Sequence, residues 1–249
     1  MTLEVDLSGR VALVTGGTKG IGLGITRALL AAGASVVTCS RSDVAPVPGT
    51  THRVCDVRDP DAVQDLVGSL GRLDILVNNA GGAPAADAAT ASPRFHESVV
   101  GLNLLAPLRC AQAANAVMQR QDSGGTIVNV SSVSALRPSP GTAAYGAAKA
   151  GLDSLTASLA MEWAPKVRVN SIDVGLCRTE QTGDHYGDDA SVAAIERTLP
   201  LGRMAEPDEV GNVAAFLASD LASYVSGASV ACHGGGETPA FLLVQKGLS

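Results

Sequence analysis

Residues 11–33 read VALVTGGTKGIGLGITRALLAAG, and this stretch decides the fold. It contains a short apolar run, a turn with four glycines in eight residues, and a segment of helical length. This order predicts a strand, a glycine-rich turn and a helix whose first amides face an anion. The turn is neither a P-loop nor a GxGxxG motif, because its glycines fall at Gly16, Gly17, Gly20 and Gly22. Taken alone, it is equally compatible with a purely structural loop.

The rest of the chain repeats the alternation of apolar runs and helix-length segments. Near-continuously apolar strands that alternate with helices predict a parallel sheet covered on both faces. We therefore predict an α/β fold, a Rossmann-type doubly wound parallel sheet with helices on both faces, in a single domain over residues 1–249. The expected strands are 11–15, 35–39, 51–55, 74–78, 126–130, 167–172 and 228–232, and the expected helices lie near 21–32, 60–70, 94–120, 143–164 and 207–218.

Composition narrows the class of protein. The net charge of −6 argues against a nucleic-acid partner, which normally requires a basic surface. The sequence has no run of 18 apolar residues and no apolar leader at its start, so we expect neither a membrane span nor a secretory signal. The five cysteines are scattered without a CxxC pair, which favours reduced, buried thiols in a cytoplasmic protein.

The longest irregular region covers about 175–206. A segment of this length in an α/β domain predicts a lid or binding loop, and we expect it to be mobile without ligand over 176–200. The alternative is a solvated insertion with a small helix at 190–199. The polar stretch GDHYGDD at 183–189 is interpreted as solvated lid rather than as a metal site. Because the four histidines lack the spacing of metal ligands, no metal is expected.

Further motifs appear in a fixed order along the chain: NNAG at 78–81, GLNLLAP at 101–107, NVSS at 129–132, YGAAK at 145–149 and RVNSID at 168–173. With the T-G-x-x-x-G-x-G spacing at 15–22, they make the chain resemble the short-chain dehydrogenase/reductase family over essentially its entire length. The resemblance implies an oxidoreductase that interconverts a carbonyl and a secondary alcohol with a nicotinamide cofactor. It resembles 3-oxoacyl-thioester and ketone reductases most, although these motifs do not fix the substrate.

Four residues match the catalytic positions of that family: Asn103, Ser132, Tyr145 and Lys149. Tyr145 and Lys149 are four residues apart and share one helix face, so we expect the ammonium to lower the tyrosine pKa for acid–base chemistry. Ser132 would donate a hydrogen bond to the substrate oxygen. The resemblance further implies that Lys149 holds the ribose hydroxyls and that Asn103 anchors a water. Singly, each residue could instead serve in the core, in a cap or at the surface.

The resemblance also implies a nucleotide cleft. Asp56 would meet the adenine amino group, and Thr179 would reach the nicotinamide amide when the lid closes. The implied cofactor-binding residues are Gly16, Thr18, Lys19, Gly20, Ile21, Gly22, Ser40, Arg41, Asp56, Val57, Asn79, Ala80, Gly81, Tyr145, Lys149, Gly175 and Thr179.

The end of the second strand suggests which cofactor is used. An NAD-preferring enzyme usually has an acidic residue there, to accept hydrogen bonds from the ribose hydroxyls. This chain has Ser40 followed by Arg41, which can donate to a 2′-phosphate. Lys19 would approach the same phosphate from the glycine turn. We therefore predict NADP(H) as the cofactor. The alternative is that Lys19 and Arg41 are only solvated surface cations.

The sequence departs from the family pattern at two places. Val174-Gly175 stands where the family has Pro-Gly, and His233-Gly234-Gly235 where it has Asp-Gly-Gly. Two other functions compete with NADP(H)-dependent catalysis: an NAD-preferring dehydrogenase of the same fold and a nucleotide-sensing scaffold without catalysis.

The helices near 100–120 and 143–164 carry a second apolar face, so we expect a homo-oligomer, by resemblance a tetramer.

Overall fold

The computed structural model describes residues 4–245, apart from the side chains of residues 185 and 243–245. Seven parallel strands form one sheet in the order β3-β2-β1-β4-β5-β6-β7, which confirms the doubly wound α/β fold. The order reverses between β1 and β4, and a crevice opens there beyond the carboxyl ends of the strands. The strands are β1 Val11–Thr15, β2 Ser35–Ser40, β3 Thr51–Val54, β4 Ile75–Asn78, β5 Gly125–Ser132, β6 Val167–Val174 and β7 Ser229–Cys232.

The helices cover both faces of this sheet. Helices α1 and α8 pack together on one face, and α2, α4 and α5 cover the other. The described helices are α1 Gly20–Ala31, α2 Pro60–Ser69, α3 Pro93–Val100, α4 Ala106–Met118, α5 Ala143–Glu162, α6 Thr182–Tyr186, α7 Asp189–Glu196, α8 Pro207–Ala218 and α9 Ala240–Gln245.

Local sequence signals explain several helix starts. The Asp59 side chain accepts hydrogen bonds from the first amides of α2, and Pro60 follows at the first helical position. Ser92 caps α3 in the same way before Pro93. These caps satisfy amides that have no partner inside the helix, so the chain turns into each helix at a defined residue.

Side-chain alternation in β1 builds the two halves of the core. Ala12 and Val14 face α1 and α8, whereas Leu13 packs with the cluster beneath α2, α4 and α5. Period-2 alternation in a strand buried on both faces produces this division. All five cysteines are free, four of them buried and Cys232 only half-buried.

Two regions differ from the sequence expectation. The helix expected over 94–120 is divided by a π-helical turn at Gly101–Leu105, a short widening that spacing alone does not reveal. The irregular region 175–206 contains α6 and α7 and a small apolar cluster of Val192, Leu199 and Met204. Among residues 4–245, no helix combines the length and apolarity that crossing a membrane requires.

Candidate active site

The glycine turn between β1 and α1 is held by the side chain of Asn79. The Asn79 side-chain amide donates to the carbonyl oxygens of Thr15 at 2.9 Å and Gly16 at 3.1 Å. Gly16 has φ +65°, a conformation that favours glycine. A Cβ at Gly22 would lie 2.2 Å from the Gly16 carbonyl oxygen and 2.5 Å from Asn79 Nδ2. The turn therefore closes only without a side chain at Gly22.

A continuous cleft runs along the carboxyl edge of the sheet. It consists of two adjoining pockets of about 1160 and 930 Å³, including their open mouths. The two pockets share Gly16, Lys19, Ala80 and Gly81. All seventeen residues expected at the cofactor line this cleft, as does Ser132, whereas Asn103 lies behind its wall. The sequence-predicted residues are thus brought together at the strand-order reversal.

The pocket at the β2 and β3 end contains Asp56 and Val57, which follow β3. Arg58 donates to both carboxylate oxygens of Asp56, with distances of 2.6 to 3.2 Å. This hydrogen bonding lowers the pKa of Asp56, so its carboxylate is ionised near neutral pH. An ionised carboxylate remains a hydrogen-bond acceptor for an amino group.

The same pocket carries two exposed cations, Lys19 and Arg41. Neither forms an ion pair within the part of the chain that the structure describes. The hydroxyl of Ser40 donates to the Ser42 carbonyl oxygen at 2.8 Å, a bond that the sequence did not predict. The pocket therefore offers two cations outside any ion pair of the described residues, together with the Asp56 carboxylate and a hydroxyl that already has a partner.

Glu180 makes an unexpected contact with the glycine turn. Its Oε2 accepts a hydrogen bond from the Gly20 amide at 3.2 Å, where α1 begins. Helix N-termini favour anions because their first amides lack intrahelical partners. A carboxylate of the chain thus lies where the sequence predicts a phosphate.

Tyr145, Lys149 and Ser132 converge in the other pocket. The α5 helix places Lys149 one turn after Tyr145, and its Nζ lies 5.6 Å from the centre of the tyrosine ring. Lys149 Nζ also donates to the Val130 carbonyl oxygen at 2.7 Å. Ser132, the last residue of β5, brings its hydroxyl to the tyrosine hydroxyl. A proton donor, an ammonium and a second hydroxyl therefore face one cavity.

The expected lowering of the tyrosine pKa was wrong for this structure. Burial raises the pKa of Tyr145, although the hydrogen bond from Ser132 opposes this effect. Burial also lowers the pKa of Lys149 to about 8, since desolvation disfavours its charged form. Helical spacing predicts that the two groups are neighbours, but it does not reveal the desolvation that shifts both pKa values.

Asn103 lies inside the π-helical turn and is completely buried. Its Oδ1 accepts from the Gly82 amide at 2.9 Å, and its Nδ2 donates to the carbonyl oxygens of Gly82 and Val99 at 3.0 and 2.9 Å. These contacts join the turn to the loop after β4. Asn103 therefore supports the wall of the cleft, and its expected role in anchoring a water stays a prediction.

A pair of carboxyl groups lies near Lys149 on the side of α5 and β6. Asp153 and Asp173 contact each other, and each has a buried Oδ1 without another partner among the described residues. Burial first, and then the neighbouring Asp153, raise the pKa of Asp173 to about 6. A single proton shared by the two carboxyls would satisfy both buried oxygens.

The region 175–206 supplies the remaining wall of the pocket that contains Tyr145. Thr179 lines it, and so does the half-buried Tyr186 from the stretch interpreted as solvated polarity. The amide of Thr179 donates to the Thr182 hydroxyl at 2.7 Å. An adjoining cavity of about 450 Å³ extends toward His233, which packs against Gly175. Its lining is Val133, Leu136, Arg137, Gly175, Leu176, Leu199, His233, Gly236 and Glu237.

Sequence reasoning missed Glu180, Tyr186 and the carboxyl pair. Tyr186 had a usable signal, since an aromatic residue within a polar lid is unusual in a chain with three tyrosines. Glu180 and Asp173 had no such signal, because their partners are distant in sequence. Within residues 4–245, no cluster of three metal-ligating side chains is present.

Comparison with known proteins places this geometry in a family. The family model described as enoyl-(acyl carrier protein) reductase matches residues 16–237. A 3alpha-hydroxysteroid dehydrogenase of Mediterraneibacter gnavus is 33% identical over 245 residues, which cover 92% of this chain and 97% of the relative. A D-erythrulose reductase of Gallus gallus is 37% identical over 242 residues, covering 94% of this chain and 98% of the relative.

A solved structure agrees with these sequence relatives. The Pseudomonas aeruginosa RhlG/NADP active-site complex superimposes with a TM-score of 0.86 at 30% identity. The match covers 94% of this chain and 99% of that one. The similarity therefore extends over nearly the whole length of both proteins.

Proposed function

Because the chain belongs to the short-chain dehydrogenase/reductase family, and so is an oxidoreductase of alcohols and ketones that uses a nicotinamide cofactor, we propose that it uses NADP(H) with Tyr145 as acid–base residue. One observation supports this more than any other. Tyr145, Lys149 and Ser132 face a pocket that is continuous with the glycine turn. A scaffold protein that only binds nucleotide has no need of that trio.

The residues present fit a dinucleotide. The contact between Gly22 and Gly16 leaves no room for a side chain, so the bare backbone of the turn can approach a pyrophosphate closely. The pyrophosphate would be held by Gly16, Gly20, Ile21 and Asn79. When bound, the nicotinamide would supply or accept the hydride.

The chain's own groups handle the proton. The hydroxyl of Tyr145 would donate its proton to the carbonyl oxygen of the substrate during reduction and take it back during oxidation. The Ser132 hydroxyl would donate a hydrogen bond to the same oxygen as charge develops there. The Lys149 ammonium would stabilise the tyrosinate, and Asn103 would keep the wall behind it in place.

The NADP(H) preference is proposed from Lys19, Ser40 and Arg41. Hydrogen bonds to a charged group contribute about 1.5–3 kcal/mol each, so two contacts to a 2′-phosphate would supply roughly a hundredfold preference or more. An acid at position 40 would repel that phosphate. Replacing Ser40 by Asp and Arg41 by a neutral residue should reverse or abolish the preference, with kcat changing less than the cofactor KM.

A substrate panel tests the proposal. Purified protein is incubated with NADPH or NADH and with ketones, quinones and 3-oxoacyl thioesters, and cofactor oxidation is followed by absorbance. We expect turnover of at least one ketone class with NADPH favoured. Tight binding of nucleotide without turnover of any carbonyl or alcohol would support the scaffold alternative, and a preference for NADH would support the NAD-dependent alternative.

We also propose a homo-oligomer, most simply a tetramer, in the cytoplasm. Leu105, next to α4, and Met161 near the end of α5 are 41% and 85% exposed, so a second copy could cover them. The free cysteines are consistent with a reducing compartment. A monomer mass by light scattering at micromolar protein would contradict the oligomer.

A further inference from the structure

His52 lies behind Ser40 on the outermost strand of the sheet. It pairs with Thr38 in the register of β2 and β3. Its ring makes three polar contacts with the end of β2: Nδ1 lies 3.0 Å from the Thr38 hydroxyl, and Nε2 lies 3.3 Å from the Ser40 hydroxyl and 3.2 Å from the Ser42 carbonyl oxygen. The ring thus contacts residues on both sides of Arg41.

The partners of the ring determine where its proton lies. A carbonyl oxygen can only accept, so Nε2 must carry the hydrogen that faces Ser42. In the neutral ring, Nδ1 then accepts the hydroxyl proton of Thr38. The Ser40 hydroxyl donates to the same Ser42 oxygen at 2.8 Å, so this oxygen has two donors.

Because the Ser42 carbonyl oxygen has two donors, the Ser40 hydroxyl can exchange this oxygen for another acceptor. For its hydroxyl to donate to a phosphate, Ser40 must release the Ser42 carbonyl. While His52 Nε2 remains in place, that oxygen keeps a donor after Ser40 has turned away. Without the ring, the same change would exchange one hydrogen bond for another with no second donor from the described residues to replace the lost one, so the protein would gain less from it.

We propose that His52 is a positioning residue for the 2′-phosphate of NADP(H), acting through Ser40 and the backbone on both sides of Arg41. This inference rests on the NADP(H) preference proposed above. It predicts that the selectivity of the cleft depends on a histidine that does not itself touch the reacting atoms. His52 sits on β3, at the sheet edge, whereas Tyr145 lies on α5.

The test compares His52→Leu with His52→Gln. Leucine fills much of the space of the ring without polar atoms, whereas the glutamine amide can donate to Ser42. Arg53→Leu is the control, since Arg53 is exposed and side chains alternate along β3. Binding of NADPH and of NADH is measured by fluorescence titration, together with kcat and thermal unfolding.

In His52→Leu, the Kd for NADPH should rise about tenfold and the Kd for NADH less than about twofold, as expected for one lost hydrogen bond. The kcat at saturating NADPH should stay near that of the unmodified protein. His52→Gln should recover most of the NADPH affinity, and Arg53→Leu should leave the ratio of the two Kd values unchanged.

Three results would overturn the inference. Unchanged Kd values for both nucleotides in folded His52→Leu would refute it and leave the NADP(H) preference intact. An equal rise of both Kd values would show a general structural role instead. Equal affinities in the unmodified protein would refute the NADP(H) preference together with this inference. If His52→Leu does not fold, the ratio in Thr38→Val, which removes the Nδ1 partner, decides by the same criteria.

Discussion

The cleft has a nucleotide half around the glycine turn 15–22 and a lid half lined by residues from 175–206, and the two are built in different ways. In the nucleotide half, the Asn79 side-chain amide donates to the carbonyl oxygens of Thr15 and Gly16, and the bare Gly22 lies against the same turn. In the lid half, a backbone bridge joins Cys177 to Ala205, and ion pairs such as the 2.6 Å pair between Arg178 and Glu196 add side-chain contacts. Such partly exposed pairs contribute little to stability. From this difference we infer that the nucleotide half is preformed, and we predict that the lid half rearranges around a substrate.

The largest expected effect is at the catalytic pocket where the halves meet. Tyr145→Phe removes the proton donor and keeps the ring, so kcat should fall by about a hundredfold to ten-thousandfold. Nucleotide affinity and thermal unfolding should change little. Tyr224→Phe serves as control, because that side chain is fully exposed. Turnover of Tyr145→Phe at the rate of the unmodified protein would contradict the assigned mechanism.

A change in the nucleotide half should have the second-largest effect, and it should act on nucleotide affinity. Gly22→Ala places a Cβ 2.2 Å from the Gly16 oxygen, so the turn must shift and the Kd for NADPH should rise about tenfold or more. Gly68→Ala in α2 is the matched control, since a Cβ there meets no atom within 4 Å. Titration that shows normal nucleotide affinity in folded Gly22→Ala would mean that the turn is not preformed.

Removing the contact between Glu180 and the Gly20 amide, which joins the two halves, should have a smaller effect. Glu180→Gln removes a negative charge from the Gly20 amide, where an anionic cofactor would compete for the same hydrogen-bond donor. We expect NADPH to bind about two- to fivefold more tightly, in line with charge effects at helix N-termini. Asp184→Asn removes the same charge from the exposed lid helix and should leave the Kd unchanged. Weaker binding in Glu180→Gln would instead make this carboxylate a favourable partner of the cofactor.

The smallest expected effect concerns the carboxyl pair beneath the catalytic pocket. The pKa of Asp173 is about 6 in the fold and near 4 in the unfolded chain, so the folded state binds its proton more tightly. This stabilisation is fully present below about pH 4 and is lost as the pH rises through 6. Asp173→Asn should therefore unfold a few degrees higher than the unmodified protein at pH 8, and by a smaller margin at pH 4.

Thermal melts at both pH values measure this margin, and Asp65→Asn on the exposed side of α2 is the control. If the margin were the same at pH 4 and pH 8, the two carboxyls would not share a proton.

The sequence predicted the parallel sheet and many of the residues that line the nucleotide half, because a glycine turn between a strand and a helix is a local signal. It did not predict the contacts of His52, Glu180 or Asp173, whose partners come from other elements. It also placed Asn103 correctly in chain order without revealing the π-helical turn that buries it. The error in the tyrosine pKa has the same origin, since burial is a property of the assembled fold.

Hydrogen exchange with and without NADPH tests the contrast between a preformed edge and a movable lid most directly. Amides of β1, β4 and β5 should exchange slowly in both states, because their hydrogen bonds lie within a buried sheet. Amides over 176–200 should exchange quickly without nucleotide and slow when it binds. Slow exchange over 176–200 that NADPH leaves unchanged would contradict the account.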